Sequence, residues 1–437
     1  MYYYIRTFGC QMNQHDSQFA AALLEKSGYE PTANLDEADI VLVNTCSVRE
    51  SAEKKIFGFI DSLILRKRIK PSLRVVIIGC MVSAEEAVDN LLKKRKHIDI
   101  VLGTRSIHRL PHYLELLESE SGPFVEIDLD HEVVEGRIHK REDFYRAFLT
   151  IMYGCDNFCS YCIVPYVRGR ETSRSMNDIL AEARSLVADG VKEITLLGQN
   201  VNSYGKGLSE EENFANLLLA MEKIDGLERI RYMTSHPKDF SEEIIDAIAS
   251  SSKICRHFHL PFQAGSDRIL KAMNRHYNRE KYRDLILNIK NHFPDAVLTT
   301  DIIVGFPGES EEDFCETLSL LKELEFDLAY TFLYSPRRGT PAAESDSQVP
   351  QSVKKERLLR LMDVQNGISL KKNKAMVGKT YMLLGEGPSR TDPKVQSGRT
   401  DGNKLVHFEA KEDYTGKLVP VTVTSANTWS MRGQLLK

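Results

Sequence analysis

Apolar and polar positions repeat with two different periods over the first 120 residues. Four short apolar runs, each typical of a buried strand, lie at residues 3–8, 39–43, 75–78 and 98–102. The intervening stretches that carry apolar side chains at helical spacing are 17–25, 50–65 and 85–94. Strands that alternate with helices in this way predict an α/β fold with a doubly wound parallel sheet over residues 1–120.

The same alternation returns between residues 141 and 371. Predicted strands cover 147–152, 193–197, 229–233, 258–260, 297–304 and 328–334. Predicted helices cover 179–188, 213–223, 242–250, 279–291, 311–324 and 356–370. About six β/α units predict an open sheet or a partial (β/α)6 TIM-like barrel. In either case the chemistry is expected at the carboxyl ends of the strands.

The pattern changes again near residue 374. Short strands are predicted at 381–384, 405–408 and 419–424, which indicates a small OB-like β-barrel over 374–437. This tail carries ten Lys and Arg against six Asp and Glu, a net charge of +4, so the preceding 373 residues carry −8 of the total −4. Such barrels bind oligonucleotides through a basic face, although a solubilising or dimerising barrel is the alternative. The acidic segment 121–140 is predicted to be a linker.

Composition limits the remaining possibilities. A chain of 437 residues with 42% hydrophobic and 27% charged residues is typical of a soluble protein of two or three domains. No apolar run approaches the roughly 20 residues of a membrane span, so we expect a cytoplasmic protein without membrane contact. In that compartment the eight cysteines are better interpreted as metal ligands or isolated thiols than as disulfides.

Three of these cysteines lie within eight residues. Cys155, Cys159 and Cys162 follow a predicted strand with the spacing Cys-x3-Cys-x2-Cys, and no second cysteine pair follows nearby. Thiolates select zinc, copper(I) or an iron–sulfur cluster. A structural zinc site needs four protein ligands, whereas a four-iron cluster held by three thiolates leaves one iron open. The alternatives are a zinc loop with a distant fourth ligand and a group of reactive thiols.

Three more cysteines each follow a predicted strand of the first domain. Because the carboxyl ends of parallel strands meet at one edge, Cys10, Cys46 and Cys80 are expected to converge there. The segments 47–50 and 83–86 resemble helix capping boxes, which would place a helix dipole beside two of the thiols. A second three-thiolate cluster is therefore predicted, with three buried structural cysteines as the alternative.

The first triad, with Tyr161 before its last cysteine, resembles the radical S-adenosylmethionine (SAM) enzymes over residues 141–370. That resemblance implies a [4Fe-4S] cluster on Cys155, Cys159 and Cys162, with SAM on the open iron. The segments 7–13 and 44–50 resemble the methylthiotransferases, whose N-terminal triad holds an auxiliary [4Fe-4S] cluster. Residues 398–404 resemble the TRAM domain, a small RNA-binding barrel.

The resemblance also implies contacts beyond the cysteines. The expected SAM-binding residues are Tyr161, Gly198, Gln199, Asn200, Ser235, Gln263, Ser266, Arg275, Gly305 and Phe306. The expected substrate-binding residues are Asn202, His236, Arg399 and Lys404.

Residues 197–204 and 234–237 resemble the MiaB-type tRNA methylthiotransferases in particular. An enzyme of that type methylthiolates C2 of N6-isopentenyladenosine 37 in the tRNA anticodon loop, with one SAM for sulfur methylation and another for a 5′-deoxyadenosyl radical. The implied partners are tRNA and an electron donor such as flavodoxin or ferredoxin, and a monomer is expected. The alternatives are the same chemistry on threonylcarbamoyladenosine or a ribosomal protein side chain, and a non-catalytic iron–sulfur RNA-binding protein.

Overall fold

The structure is a computed structural model that describes residues 1–47, 50–127, 140–141, 143–389 and 392–436, without the side chains of residues 50–53. Its strands are β1 (Tyr2–Thr7), β2 (Glu30–Pro31), β3 (Ile40–Thr45), β4 (Arg74–Gly79), β5 (Ile100–Leu102), β6 (Phe124–Glu126), β7 (Arg146–Thr150), β8 (Met152–Tyr153), β9 (Thr172–Ser173), β10 (Glu193–Leu197), β11 (Arg229–Tyr232), β12 (His257–His259), β13 (Val297–Val304), β14 (Leu328–Leu333), β15 (Thr380–Pro388), β16 (Val395–Arg399), β17 (Leu405–Glu409), β18 (Leu418–Ala426) and β19 (Met431–Leu435).

The α-helices are α1 (Gln11–Lys26), α2 (Glu50–Ile69), α3 (Glu85–Lys94), α4 (Leu110–Leu116), α5 (Val164–Arg168), α6 (Met176–Ala188), α7 (Phe214–Glu222), α8 (Glu242–Ala249), α9 (Asp267–Ala272), α10 (Arg279–His292), α11 (Glu311–Leu324) and α12 (Gln351–Lys374). Short 3₁₀ turns occur at Cys80–Val82, Ile107–Arg109, Val201–Ser203, Pro237–Asp239 and Pro341–Ala343. No helix in these described ranges is long and apolar enough to cross a membrane.

The N-terminal domain is a six-stranded, all-parallel sheet in the order β2-β1-β3-β4-β5-β6. Its central strands are fully buried because apolar clusters pack on both faces. The order places β1, β3 and β4 side by side, so the three strands that precede Cys10, Cys46 and Cys80 are neighbours. The predicted doubly wound sheet is confirmed.

The segment predicted to be a linker begins within this sheet. Phe124–Glu126 pairs with β5 as the edge strand β6, so residues 124–126 belong to the N-terminal domain. Three exposed or half-buried residues at a sheet edge have no apolar alternation that sequence analysis could detect. Most of the remaining linker, residues 128–139, lies outside the described residues.

The central domain is an open, curved array of six parallel strands with helices on its outer face. Strands β7, β10 and β11 form one half and β12, β13 and β14 form the other. The halves are joined through Ile230, whose backbone bonds to Lys253 and Cys255. This is the predicted partial (β/α)6 barrel, and its carboxyl-end loops face the N-terminal domain.

The C-terminal domain is a closed five-stranded barrel in the order β15-β16-β17-β19-β18. Its interior is an apolar cluster that includes Leu383, Phe408 and Val421. The predicted small barrel is confirmed, although only three of its five strands were predicted. Strands β16 and β19 lacked an apolar signal because they carry glutamine, glycine and arginine.

Candidate active site

The loop that carries the first cysteine triad is held tightly to the core. Gly154 has a positive φ of 71°, and a Cβ there would overlap the carbonyl oxygen of Arg170. Only glycine therefore allows the strand to turn into the loop at this point. Further along, the backbone N–H of Ser160 donates to the oxygen of Met273, and that of Cys162 donates to the oxygen of Cys159. The three thiols are thus presented by a fixed backbone.

Polar groups are directed at the thiols of this triad. The guanidinium of Arg275, which is 4% exposed, donates from Nη1 to Cys159 Sγ at 3.4 Å and to Tyr161 Oη at 3.3 Å. Asn157 Nδ2 donates to Cys155 Sγ at 3.5 Å. These donors would stabilise thiolates, which is the form that binds a metal.

Burial dominates the ionisation of these thiols when no metal is bound. It raises the pKa of Cys155 to about 11, and burial followed by the neighbouring Cys159 raises the pKa of Cys162 to about 12. The effect of the charge of Cys159 on the pKa of Cys155 and Cys162 indicates that the sulfurs are close in space. A coordinating metal reverses this preference, because it deprotonates the thiols that it binds.

The second triad converges at the carboxyl edge of the N-terminal sheet. A Cβ on Gly9 would lie 2.9 Å from Cys46 Cβ, and one on Gly79 would overlap the oxygen of Thr45. Both glycines have positive φ, at 127° and 104°, so three loops approach more closely than other residues would permit.

A buried asparagine joins these loops. Asn13 Nδ2 donates to the carbonyl oxygen of Phe8 at 3.0 Å and to that of Thr45 at 2.7 Å. Its Oδ1 accepts from Cys10 Sγ at 3.5 Å. The side chain is completely buried, and it therefore fixes the position of the first cysteine loop relative to the second.

Burial and neighbouring charges together set the ionisation of Cys80. Burial raises the pKa of Cys80 to about 11, the guanidinium of Arg168 opposes that shift, and the charges of Cys10 and Cys46 add to it. The helix caps predicted beside these thiols contribute less than expected. Ser83 donates to the oxygen of Gly79 and does not cap α3, while the segment 47–50 lies largely outside the described residues.

Both triads suit a cluster better than a single ion. Within the residues that the structure describes, no three His, Cys, Asp or Glu side chains are close enough to hold one metal ion. An iron–sulfur cluster imposes a different geometry, because each thiolate binds its own iron and the sulfurs surround a larger body. Cys46, Cys80 and Cys159 are buried, Cys155 and Cys162 are partly exposed, and Cys10 is exposed. N–H donors to sulfur, as at Cys80, Cys155 and Cys159, suit the ligands of such a body.

Four buried polar side-chain atoms in neighbouring loops have no hydrogen-bond partner among the residues that the structure describes. They are Gln199 Oε1, Ser235 Oγ, His236 Nε2 and Gln263 Oε1, which follow three successive strands at the end of the barrel that carries the first triad. An unpaired buried polar group costs about 1–3 kcal/mol. Their grouping therefore indicates a site for a polar ligand, and all four were predicted to contact SAM or substrate.

His236 is held as a neutral donor. Its Nδ1 accepts from the backbone N–H of Lys238 at 3.3 Å, so the proton of the neutral ring is assigned to the unpartnered Nε2. Burial, followed by the charges of Arg275 and Lys238, lowers the pKa of His236 to about 2. The imidazole therefore remains an uncharged hydrogen-bond donor at physiological pH.

Two asparagines predicted to contact ligands connect loops instead. Asn202 Nδ2 donates to the carbonyl oxygen of His236 at 2.8 Å and its Oδ1 accepts from the backbone N–H of His236, also at 2.8 Å. Asn200 bonds to the same N–H and to Asp239. Both ends of the Asn202 amide therefore position the His236 loop, and its expected substrate contact stays a prediction.

The remaining predicted SAM contacts differ in their surroundings. Gly198 and Gly305 lie where a Cβ would overlap Met152 and Lys354 respectively, as expected of glycines at close backbone approaches. Phe306 is buried against Tyr334 with ring centroids 5.6 Å apart. The hydroxyl of Ser266 donates to Asp313 Oδ1 at 2.6 Å, which uses its proton to support the start of α11.

A cavity of about 600 Å³ opens beside the first triad. Its lining combines polar residues, among them Cys162, Gln263 and Asp301, with apolar residues, among them Ile303 and Phe332. A mixed lining of this kind suits a partly apolar ligand such as an alkylated purine. Asp301 was not singled out from the sequence, because a single acidic residue within a strand carries no local signal.

Lys404 occupies a different position from the one that we predicted. Its ammonium bonds to Asp327 Oδ1 and Asn373 Oδ1, both at 2.7 Å, and the side chain is 9% exposed. Asp327 precedes β14, so this contact is at the amino ends of the strands, opposite the cysteine loop. Lys404 therefore docks the barrel on the central domain, and its expected RNA contact stays a prediction. Arg399, which is half-exposed and paired with Glu386, stays a predicted RNA contact.

Arg168 was missed by sequence analysis. It lies in the central domain, yet its guanidinium contacts Asp16, Asn13 and Cys80 of the N-terminal domain. No local pattern distinguishes an arginine that will cross a domain boundary from one on a solvated face.

Comparisons with known proteins agree with this geometry. The model of the Radical SAM superfamily matches residues 149–321, that of the uncharacterized protein family UPF0004 matches 2–103, and that of the TRAM domain matches 374–436. The radical SAM methyltransferase TsrM of Kitasatospora setae has a similar fold, with a TM-score of 0.56 and 16% identity over 78% of this chain and 75% of that one. The chain is thus a radical SAM protein that ends in a TRAM domain.

Closer relatives define the family. The chain is 50% identical to the tRNA-2-methylthio-N(6)-dimethylallyladenosine synthase of Acetivibrio thermocellus, over 100% of this chain and 91% of that protein. It is also 50% identical to the synthase of the same name from Alkaliphilus oremlandii, over 100% of this chain and 93% of that protein. It belongs to the family of tRNA-2-methylthio-N(6)-dimethylallyladenosine synthases, the MiaB-type methylthiotransferases.

Proposed function

We propose that this protein methylthiolates C2 of N6-isopentenyladenosine 37 in the anticodon loop of tRNA; dimethylallyl and isopentenyl denote the same substituent here. The observation that carries the proposal is the 50% identity along the whole chain to synthases of that name.

Each cysteine triad has a distinct task. Cys155, Cys159 and Cys162 hold the [4Fe-4S] cluster beside the SAM pocket, and Cys10, Cys46 and Cys80 hold the auxiliary one. When bound, these clusters and SAM supply the radical chemistry that an unactivated aromatic C–H bond requires, together with the methylated sulfur. The protein's part is to place substrate and sulfur next to each other and to exclude water.

The chain's own side chains can perform that positioning. The unpartnered donor of His236 and the amide of Gln263 can orient a polar ligand over Cys162. The apolar side chains of Ile303 and Phe332, which line the cavity, suit the isopentenyl group. A purine reaches such a cavity only when the base leaves the stack, which is readily achieved in a single-stranded loop.

The partners follow from the chemistry. The tRNA anticodon stem-loop is the substrate, and reduction of the cluster requires a donor such as flavodoxin or ferredoxin. We propose that the protein acts as a cytoplasmic monomer.

The test uses anaerobically reconstituted protein, SAM, a reductant and three anticodon stem-loops. These carry isopentenyladenosine, unmodified adenosine or threonylcarbamoyladenosine at position 37. Mass spectrometry of the digested nucleosides should detect methylthio product only from the first. Product from the threonylcarbamoyl substrate alone would assign the chain to that alternative, and absence of 5′-deoxyadenosine with every substrate would refute radical SAM chemistry.

A further inference from the structure

Arg168 is the last residue of α5, the helix that follows the first cysteine triad. Five residues separate it from Cys162, and the helix Val164–Arg168 is roughly 7 Å long at about 1.5 Å per residue. The segment thus leads directly from one triad towards the other. The arginine itself is only 5% exposed.

The guanidinium enters the N-terminal domain at the second triad. Its Nε donates to Cys80 Sγ at 3.2 Å, and its Nη2 donates to Asp16 Oδ2 at 2.9 Å and to Asn13 Oδ1 at 3.1 Å. Asp16 is 1% exposed, so the ion pair is fully buried. A second interdomain contact lies beside it, where Thr104 Oγ1 donates to the carbonyl oxygen of Val167 at 3.3 Å.

Each contact of the guanidinium indicates a different role. Asp16 neutralises its charge, which is the condition for burying an arginine. Asn13 is the residue that joins the Cys10 and Cys46 loops, so the arginine contacts the framework of the whole triad. The remaining donor, Nε, points at the thiol sulfur. An ion pair that only held the two domains together would not need a thiol as an additional partner.

We propose that Arg168 is a positioning residue for the auxiliary cluster: supplied by the SAM-binding domain, it donates a charge-assisted hydrogen bond to the Cys80 thiolate and fixes that cluster relative to the first triad. The inference rests on the proposed function, since it requires a cluster on Cys10, Cys46 and Cys80.

A consequence for the cluster's redox behaviour follows. N–H donors and positive charge beside ligating sulfur favour the more reduced, more negatively charged state of an iron–sulfur cluster, which raises its reduction potential. Lysine would retain the charge but not the planar fork that reaches sulfur, carboxylate and amide together. Methionine would retain the approximate length and remove every donor.

The experiment isolates the auxiliary cluster in a full-length background with Cys155, Cys159 and Cys162 replaced by alanine. In this background Arg168→Met and Arg168→Lys are compared with the parent, and Arg231→Met is the matched control. Arg231 is also a buried interdomain arginine, but it contacts the C-terminal barrel. Iron content, the electron paramagnetic resonance spectrum of the reduced cluster and its reduction potential by titration are measured.

We expect Arg168→Met to lower the potential and change the spectrum, Arg168→Lys to give an intermediate potential, and Arg231→Met to give parental values. A second result would also support the proposal: Arg168→Met loses iron, while Arg168→Lys retains iron and its cluster has a lower reduction potential than that of the parent. Parental potential and spectrum in both Arg168 variants would overturn it, as would equal shifts in Arg231→Met. A parent background that binds no iron would instead refute the proposed function.

Discussion

Removal of one arginine should release the C-terminal barrel from the central domain. Arg231 lies on β11 and donates from Nη1 to the carbonyl oxygen of Asp401 at 2.6 Å and from Nη2 to that of Thr400 at 2.8 Å. Its Nε donates to Glu193 Oε2 at 2.7 Å. The change Arg231→Met removes all three contacts while leaving most of the buried volume filled.

The cost comes mainly from the partner that is left behind. Both Arg231 and Glu193 are less than one-tenth exposed, and the next cation, Arg229, lies 3.9 Å from the same carboxylate oxygen. Removing one member of a buried ion pair costs about 3–5 kcal/mol. If all of this free energy opposes docking of the barrel, the equilibrium constant for docking falls by roughly two to four orders of magnitude.

The assay exploits the one tryptophan of the sequence. Trp429 lies on the barrel beside Thr428, whose carbonyl oxygen accepts from Asn373 of α12 at 3.0 Å. Trp429 fluorescence and circular dichroism are both followed during urea unfolding. In Arg231→Met the fluorescence transition should precede the circular dichroism transition, whereas in the parent the two transitions should coincide. The double variant Glu193→Gln, Arg231→Met should recover part of the loss, because the buried carboxylate that lost Arg231 is removed while Arg229 keeps its hydrogen bonds to the carbonyl oxygens of Arg399 and Met382. Parental stability in the single variant, or a further loss in the double variant, would refute the reasoning.

Two further outcomes follow from single side chains. Because Ser235 Oγ has no partner among the described residues, Ser235→Ala should change the free energy of unfolding by less than about 0.5 kcal/mol. The same change should weaken SAM binding about 2–10-fold, as measured by calorimetry. Equal losses of folding free energy and of binding free energy would contradict a ligand role. In the folded protein the buried His236 stays neutral, because burial lowers its pKa, whereas in the unfolded chain its pKa is near 6.5 and it gains a proton as the pH falls. The free energy of unfolding therefore decreases below about pH 6.5, by roughly 2 kcal/mol at pH 5. His236→Gln should flatten that part of the profile, and an unchanged slope would contradict the assignment.

Sequence patterns predicted the elements that are buried along their whole length. Strands Glu193–Leu197 and Val297–Val304 agree residue for residue with the predicted ranges, because their side chains are almost all buried and apolar or β-branched. Strand Glu30–Pro31 was missed because two exposed residues, one of them proline, leave no periodic signal. Short edge strands are defined by their neighbours in space, and a pattern along the chain does not contain those neighbours.

The same distinction applies to the candidate site. The cysteines were predictable because metal ligands have a recognisable spacing and follow strands whose ends meet. Asn202 and Lys404 also have structural contacts that the sequence did not reveal, since a polar residue on a conspicuous loop can serve another loop or another domain as readily as a ligand. Arg168 was missed for the converse reason, because its partners come from a domain about 90–150 residues earlier in the chain.

The division of labour between the two triads is tested most directly by replacing Cys10, Cys46 and Cys80 with alanine. The variant should lose about half of the iron of the reconstituted protein and still convert SAM to 5′-deoxyadenosine, since the first triad belongs to another domain. It should form no methylthio nucleoside from an isopentenylated anticodon stem-loop. Methylthiolated adenosine from this variant, detected by mass spectrometry alongside 5′-deoxyadenosine, would contradict the assignment of the sulfur-donating cluster to these cysteines.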